Sequence, residues 1–215
     1  MAITLDGTTG ISSVDGSAAS PSVRGADSNS GIVYAADAIK FSTGGTERFA
    51  ITNTGFTGIT QGITEFDMWR VSAAFTISNA TITANWERAD QTSFEKIGTG
   101  MSESSGIFTF PSTGKYLVNV SIASYESGGT RYHGGYLDIS TDSGVNYNAQ
   151  SSGLVNAYNS GNDTWAQNNF SSLIDVTNSS TTRMRIRLIG DSTISYAGDS
   201  SYQTTGFTCM KIGDT

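Results

Sequence analysis

The chain has 215 residues, 37% of them hydrophobic, with 25 Gly and only 2 Pro, and carries 12 Lys and Arg against 19 Asp and Glu, a net charge of -7. An acidic chain with no basic run is a poor nucleic-acid binder, because phosphate neutralisation supplies most non-specific affinity. No window approaches the ~20 consecutive apolar residues that a membrane-spanning helix needs, so no membrane insertion is expected. A single cysteine, Cys209, precludes an intrachain disulfide.

Residues 1–30 read as extended chain broken by turns, with turn dipeptides at Asp6-Gly7 and Asp15-Gly16 and a further break at Pro21. Two short alternating strand signals follow, Gly31-Ile32-Val33-Tyr34 and Ile39 through Ile51, with a Gly44-Gly45 turn inside the second. That module is too small to bury a core and needs neighbours, either further repeats or copies from other chains. Thr54 to Thr60 looks like a connector with apolar pegs. The expected division is an arm over residues 1–60 and a larger domain over 66–215. About 150 residues suffice for a sandwich that buries two thirds of its unfolded surface.

The larger domain opens on a period-2 pattern. Trp69, Val71, Ala73, Phe75 and Ile77 fall on one face, which is expected to be the buried one, and Arg70, Ser72, Thr76 and Ser78 share the open face with Ala74. Tyr116, Val118, Val120 and Ile122 repeat it, as do Met184, Ile186 and Leu188 against Arg183, Arg185 and Arg187. Further strands are expected at Gly106–Phe110, Gly135–Ser140, Val145–Ala149, Thr164–Val176 and Gly206–Ile212. Many short strands with polar turns and no helix signal predict an all-β, antiparallel jelly-roll sandwich preceded by an extended arm.

Few residues carry reactive chemistry. His133, the only histidine, sits in an expected loop, Gly129-Thr130-Arg131-Tyr132-His133-Gly134-Gly135, and one histidine with one distant cysteine cannot form a zinc site. Cys209 lies in an expected strand, where a buried inert thiol is the default. Asp138, Asp142, Asp163, Asp175 and Asp191 could supply the carboxylate pair of a glycosidase, but most fall in expected turns such as Thr141-Asp142-Ser143-Gly144. No calcium loop with alternating oxygen ligands is present. The expectation is a protein without enzymatic activity or cofactor.

Loop aromatics flanked by Asn, Ser and Gly are the candidates for contact with a sugar or a protein: Tyr125, Tyr132, Tyr158, Trp165, Tyr196 and Tyr202, with His133 among them. Tyr147 belongs to the same group. Some of these rings are expected to fill the core or a seam between chains instead. The guanidinium groups of Arg183, Arg185 and Arg187 repeat ~7 Å apart on one strand face. They form a solvated outer face, an ion-pair ladder to another protomer or virion protein, or a site for an acidic glycan.

Two resemblances follow from these residues. The Gly31–Ile51 stretch, with Gly44-Gly45-Thr46-Glu47-Arg48 at its centre, resembles a motif that recurs in bacteriophage fibre proteins. The run Gly106-Ile107-Phe108-Thr109-Phe110-Pro111-Ser112-Thr113-Gly114-Lys115-Tyr116 resembles the jelly-roll core of the complement globular-head and tumour-necrosis-factor superfamily. Thr204 to Ile212 is similar to that superfamily's last, central strand. The second resemblance spans about 66–215 and implies a homotrimer packed through aromatic and aliphatic faces. Together they imply a virion surface protein made in a host bacterial cytoplasm. It would be a tail fibre contributing to attachment through a host-surface glycan or protein, or else a head fibre or capsid decoration protein. Residues 1–60 would dock on sister chains or on other virion proteins.

Overall fold

The structure, a computed structural model, describes residues 5–6, 10–11, 16–58 and 62–215. All regular secondary structure among them is β. The chain divides into two units, Met1–Gly62 and Ile63–Thr215.

In the first unit β1 (Leu5–Asp6) pairs antiparallel with β2 (Gly10–Ile11). A five-stranded antiparallel meander follows: β3 (Val23–Arg24), β4 (Gly31–Ala35), β5 (Ala38–Thr43), β6 (Thr46–Thr52) and β7 (Gly55–Thr57). Gly44 and Gly45 close the β5–β6 hairpin with φ of 58° and 75°, a two-residue turn with both centres in the left-handed region that glycine enters freely. The connector expected over 54–60 begins as a true edge strand, β7; its Ile59 and Thr60 lie outside the described residues. So do Gly7 and Asp15 of the two expected turn dipeptides.

Register sorts this meander's side chains, since directly paired residues share a face. One face carries the rows Ile32–Phe41–Phe49 and Tyr34–Ile39–Ile51–Phe56, with Val23 beside Ile32. The other face buries Val33, Ser42 and Ala50. Pro21 is buried too, and a cavity of about 290 Å³ there is lined by Gly16, Ser17 and Ala18 together with Val33, Lys40 and Glu47.

The second unit contains β8 (Phe66–Val71), β9 (Ala73–Ile77), β10 (Trp86–Arg88), β11 (Ser102–Ser104), β12 (Ile107–Thr109) and β13 (Gly114–Glu126). It continues with β14 (Thr130–Ser140), β15 (Asn148–Ala157), β16 (Thr164–Val176), β17 (Arg183–Gly190), β18 (Ile194–Asp199) and β19 (Gly206–Gly213). The first sheet runs β10-β8-β19-β13-β18-β9, with β16 along the free side of β13; the second runs β11-β12-β17-β14-β15. Every pairing is antiparallel. This is the expected jelly-roll sandwich.

Inward side chains of the two sheets make one core. At its centre Phe108 meets Trp69, Trp86 and Phe207 edge to face at 5.3, 5.0 and 4.7 Å, the arrangement that the ring quadrupoles favour. Tyr116 is buried against Phe110, and its hydroxyl lies 2.9 Å from Ser112 Oγ. This is the corner expected from the Phe110–Tyr116 run. Gly106 starts that corner at φ 79°, where a Cβ would stand 2.0 Å from the Ile82 carbonyl oxygen, so only glycine fits.

Three expectations need correction. The single strand expected over 69–77 breaks at Ser72, whose N–H and hydroxyl both donate to the Asn85 carbonyl; β8 then pairs with β10 and β19, and β9 with β18. Arg70 is fully buried rather than solvated, because Glu87 and Asp90 engage its guanidinium. The strand expected at Val145–Ala149 starts only at Asn148. Ser143 and Gly144, at φ 64° and 89°, extend the preceding turn, and the Ser140 hydroxyl and Asp142 carboxylate fasten it.

Candidate functional site

The end of the jelly roll where β13 leads into β14 and β15 into β16 gathers four of the aromatic candidates. The full-length β13–β16 ladder sets Tyr125 opposite Trp165, and their rings lie 4.7 Å apart. Pairing of Thr130 with Ala157 brings Tyr132 and Tyr158 to the same end. Tyr158 is 77% and Trp165 64% exposed. Between Tyr158 and Trp165 the loop is Asn159-Ser160-Gly161-Asn162-Asp163, pinned where Thr164 Oγ1 donates to the Tyr158 carbonyl at 3.0 Å. Arg131, its side chain almost free, pairs with Asp191 at 3.0 Å. This bond and the Arg131 N–H bond hold Asp191 below the ordinary carboxylate range against the opposing effect of its desolvation.

His133, expected in a loop as a contact residue, is instead buried within β14. The hydrogen-bond network assigns it the neutral Nε2–H tautomer. Nε2–H donates to Ser124 Oγ at 2.5 Å, and that hydroxyl donates to the Ala166 carbonyl at 3.2 Å. The Thr130 hydroxyl donates to Nδ1 at 2.7 Å and accepts the Ala157 N–H at 3.3 Å. The ring thus ties β13, β14, β15 and β16 together under the aromatic end. Burial holds its pKa below the ordinary value, opposed more weakly by Asp191 and Glu126. Tyr196 is also removed from the contact set: it is a core residue stacked on Phe75 at 5.6 Å, and burial pushes its hydroxyl up to about 12. Tyr202 is exposed but lies in the β18–β19 loop, which enters the sheet beside Ser121 rather than Tyr125.

Two members of the arginine stripe share one carboxylate of their own chain. Register puts Asp138 of β14 opposite Arg185 on the outer face of the second sheet. Its buried carboxylate accepts from Arg185 Nε at 3.2 Å and from Arg187 Nε at 2.8 Å. Arg185 stacks over Tyr147 at 3.9 Å and Arg187 over Tyr136 at 4.4 Å. Arg183 donates to the carbonyls of Ser179, Ser180 and Thr182. The buried Asp138 carboxylate is thus paired twice over within the chain, while Arg185 and Arg187 keep 26 and 33% of their side chains open to solvent.

Asp142 and Asp175 hold structural contacts as well. Asp142 caps its turn, and hydrogen bonds from Asn146 and Ser140 pull it down to about 2, the opposite of the raised value a general acid needs. Asp175 pairs with Lys115 at 3.0 Å. Cys209 is buried, and desolvation drives its thiol far above the ordinary range, as expected for an inert side chain.

The outer face of the first sheet went unmarked as a site in the sequence. Leu117 pairs with Leu173 on one side and Met210 on the other, and Leu173 is 56% exposed. Higher on the same face Tyr125 meets Trp165. Between these apolar ends lies an open groove of about 330 Å³, lined by the amides and hydroxyls of Asn119, Ser121, Asn169, Ser171, Gln203 and Thr208. The signal was present for Asn119 and Ser121, the outward positions of the strand whose inward residues Tyr116, Val118, Val120 and Ile122 were recognised.

The sequence matches no known family profile and no curated protein. Solved structures do resemble the jelly roll. The Eiger TNF of S. frugiperda superimposes with a TM-score of 0.54 at 15% identity, over 70% of this chain and 92% of that one. Murine APRIL does so with a TM-score of 0.52 at 8% identity, over 69% and 98%. The second unit has the tumour-necrosis-factor-like jelly-roll fold.

Proposed function

We propose that this chain is a bacteriophage virion protein that assembles as a homotrimer and serves as a tail fibre, with the jelly roll as the head that touches the host surface. The observation that carries the reading is the strip on the outer face of β19, β13 and β16, where Leu117, Leu173 and Met210 stand at one end and Tyr125 with Trp165 at the other. Exposed apolar and aromatic groups on one face suit an interface between protomers, whereas the opposite sheet shows paired charges to solvent. The fold supports this too, since the superfamily resemblance implies trimers packed through faces of that composition. The phage assignment rests on the likeness of Gly31–Ile51 to a fibre motif.

On this reading Tyr125 and Trp165 belong to the seam, while Tyr132, Tyr158 and the polar loop between Tyr158 and Trp165 are left for the host. Flat rings beside amides and hydroxyls suit a glycan or a protein surface, and three weak copies add by avidity. No enzymatic step is invoked. Sedimentation tests the assembly: the chain should run as a trimer, and Leu173→Glu with Trp165→Glu should break it into single chains. The purified chain should also compete with phage for adsorption, and Tyr158→Ala should weaken that competition. Failure to compete at saturation would favour a capsid decoration protein of the same architecture.

A further inference from the structure

Among the described residues of its own unit, nothing forms a second layer over the two apolar rows of the β3–β7 meander. Val23, Tyr34, Ile39, Ile51 and Phe56 are 40 to 56% exposed, and Phe41 stacks on Phe49 at 4.3 Å between them. Neighbouring exposed apolar side chains on one face mark an interaction surface rather than the scattered single residues a soluble protein normally shows. The opposite face holds the Lys40–Glu47 ion pair. A single sheet with one apolar face requires a second layer to be stable.

We infer that the covering layer is the same face of sister copies of this chain. This rests on the trimeric reading of the head. Three features select a sister chain over a foreign partner. Neither row contains a charged residue that could specify a complementary surface, so three such faces can converge on a common axis without burying an unpaired charge. The edge strands β3 and β7 have two and three residues, so they offer little backbone for lateral strand addition; the face is the usable surface. Heads joined as a trimer hold the three N-terminal sheets at an effective concentration of order mM, which lets a modest apolar area associate that would fail between free chains. The N-terminal unit is then a bundling device that zips the stem of the trimer.

The test uses the full chain and reads the face directly. Ile39→Cys is placed at the centre of the face and Glu47→Cys on the opposite one; Cys209 is buried and stays silent. In the assembled protein a bulky maleimide should label Ile39→Cys at least tenfold more slowly than Glu47→Cys. A short bifunctional thiol reagent should join chains through Ile39→Cys only. The double variant Ile39→Lys, Ile51→Lys should keep a folded head while residues 16–58 become protease-sensitive. Equal labelling of the two thiols in a protein that sediments as a trimer overturns the inference and leaves the trimeric reading standing. So does protection of Ile39→Cys without interchain cross-linking, which would assign the face to another occupant. A wild-type chain that sediments as a monomer overturns both.

Discussion

The two units of this chain follow one alternation rule and reach different ends. In the jelly roll Val118, Val120 and Ile122 of one sheet pack in the same core as Leu137, Ile186 and Leu188 of the other, and all are buried. In the N-terminal meander an equally regular row, Tyr34–Ile39–Ile51–Phe56, stays well exposed. Period-2 patterning therefore identifies a strand and its apolar face, but does not say whether the second layer belongs to the same chain. The head contains its own second layer; for the arm's apolar face none is present among the described residues of its own unit.

Substitutions of like kind in the two units make the contrast measurable. Phe108→Ala removes the ring shared by Trp69, Trp86 and Phe207 and should cost about 5 kcal/mol in urea unfolding of the head, the upper end for a phenylalanine truncation. Phe49→Ala, on the apolar face of the meander, should leave that same transition within about 0.5 kcal/mol and act only on assembly. A large effect of Phe49→Ala on head unfolding would mean that the two units share one core.

A buried ion pair comes next in size. Asp67 is buried and accepts hydrogen bonds from Arg88 Nε, Trp69 Nε1 and the Met101 N–H. Asp67→Ala should cost about 3 kcal/mol, the low end for breaking a buried pair, because the Arg88 side chain is 34% exposed and can turn to water.

The head also has a pH-dependent fastener that the arm lacks. His133 is neutral in the fold, with its pKa held down by burial, while in the unfolded chain it titrates near 6.5. Its contribution is complete above that value. As pH falls below about 6.5 the unfolded state binds the proton more readily, so stability declines until the folded pKa is passed. Around the ring stand Ser124 and Thr130, with Asp191 and Glu126 acting at longer range. The urea midpoint of the head should drop between pH 7.5 and 5.5, and His133→Gln should flatten that dependence. An unchanged midpoint would contradict the neutral ring.

Local pattern made much of the head legible. The β16 span Thr164–Val176 and the alternation of β17 follow from periodicity, since both strands bury one face. His133 misled because glycine pairs surround it and read as a loop. Gly134 is needed for another reason: a Cβ there would stand 2.0 Å from the Gly153 carbonyl oxygen across the β14–β15 ladder. Arg70 misled in the opposite sense, for its burial depends on Glu87 and Asp90, distant in sequence. Tyr196 looked like a loop aromatic between Ser195 and Ala197, yet β18 turns it inward onto Phe75. In each case the deciding neighbour comes from another strand, which a local window cannot see. The arginine stripe was visible, but not the single aspartate that register sets among its members.

The smallest expected effects bear on the sharpest question in the comparison, which face of the N-terminal sheet is covered. Two exposed ion pairs can be compared, Lys40–Glu47 in the meander and Lys115–Asp175 in the head, both at 3.0 Å. Their side chains are 37 to 51% exposed, so solvent screens both and each should contribute about 0.2–1 kcal/mol in a double-mutant cycle, less at high salt. If the apolar face is the one that sister chains cover, the Lys40–Glu47 value stays in that range in the assembled protein. Amide exchange over residues 16–58 supplies the measure for the meander and urea unfolding that for the head. A coupling of several kcal/mol at Lys40–Glu47 would instead show that the polar face is the buried one, since only desolvation raises an ion pair so far.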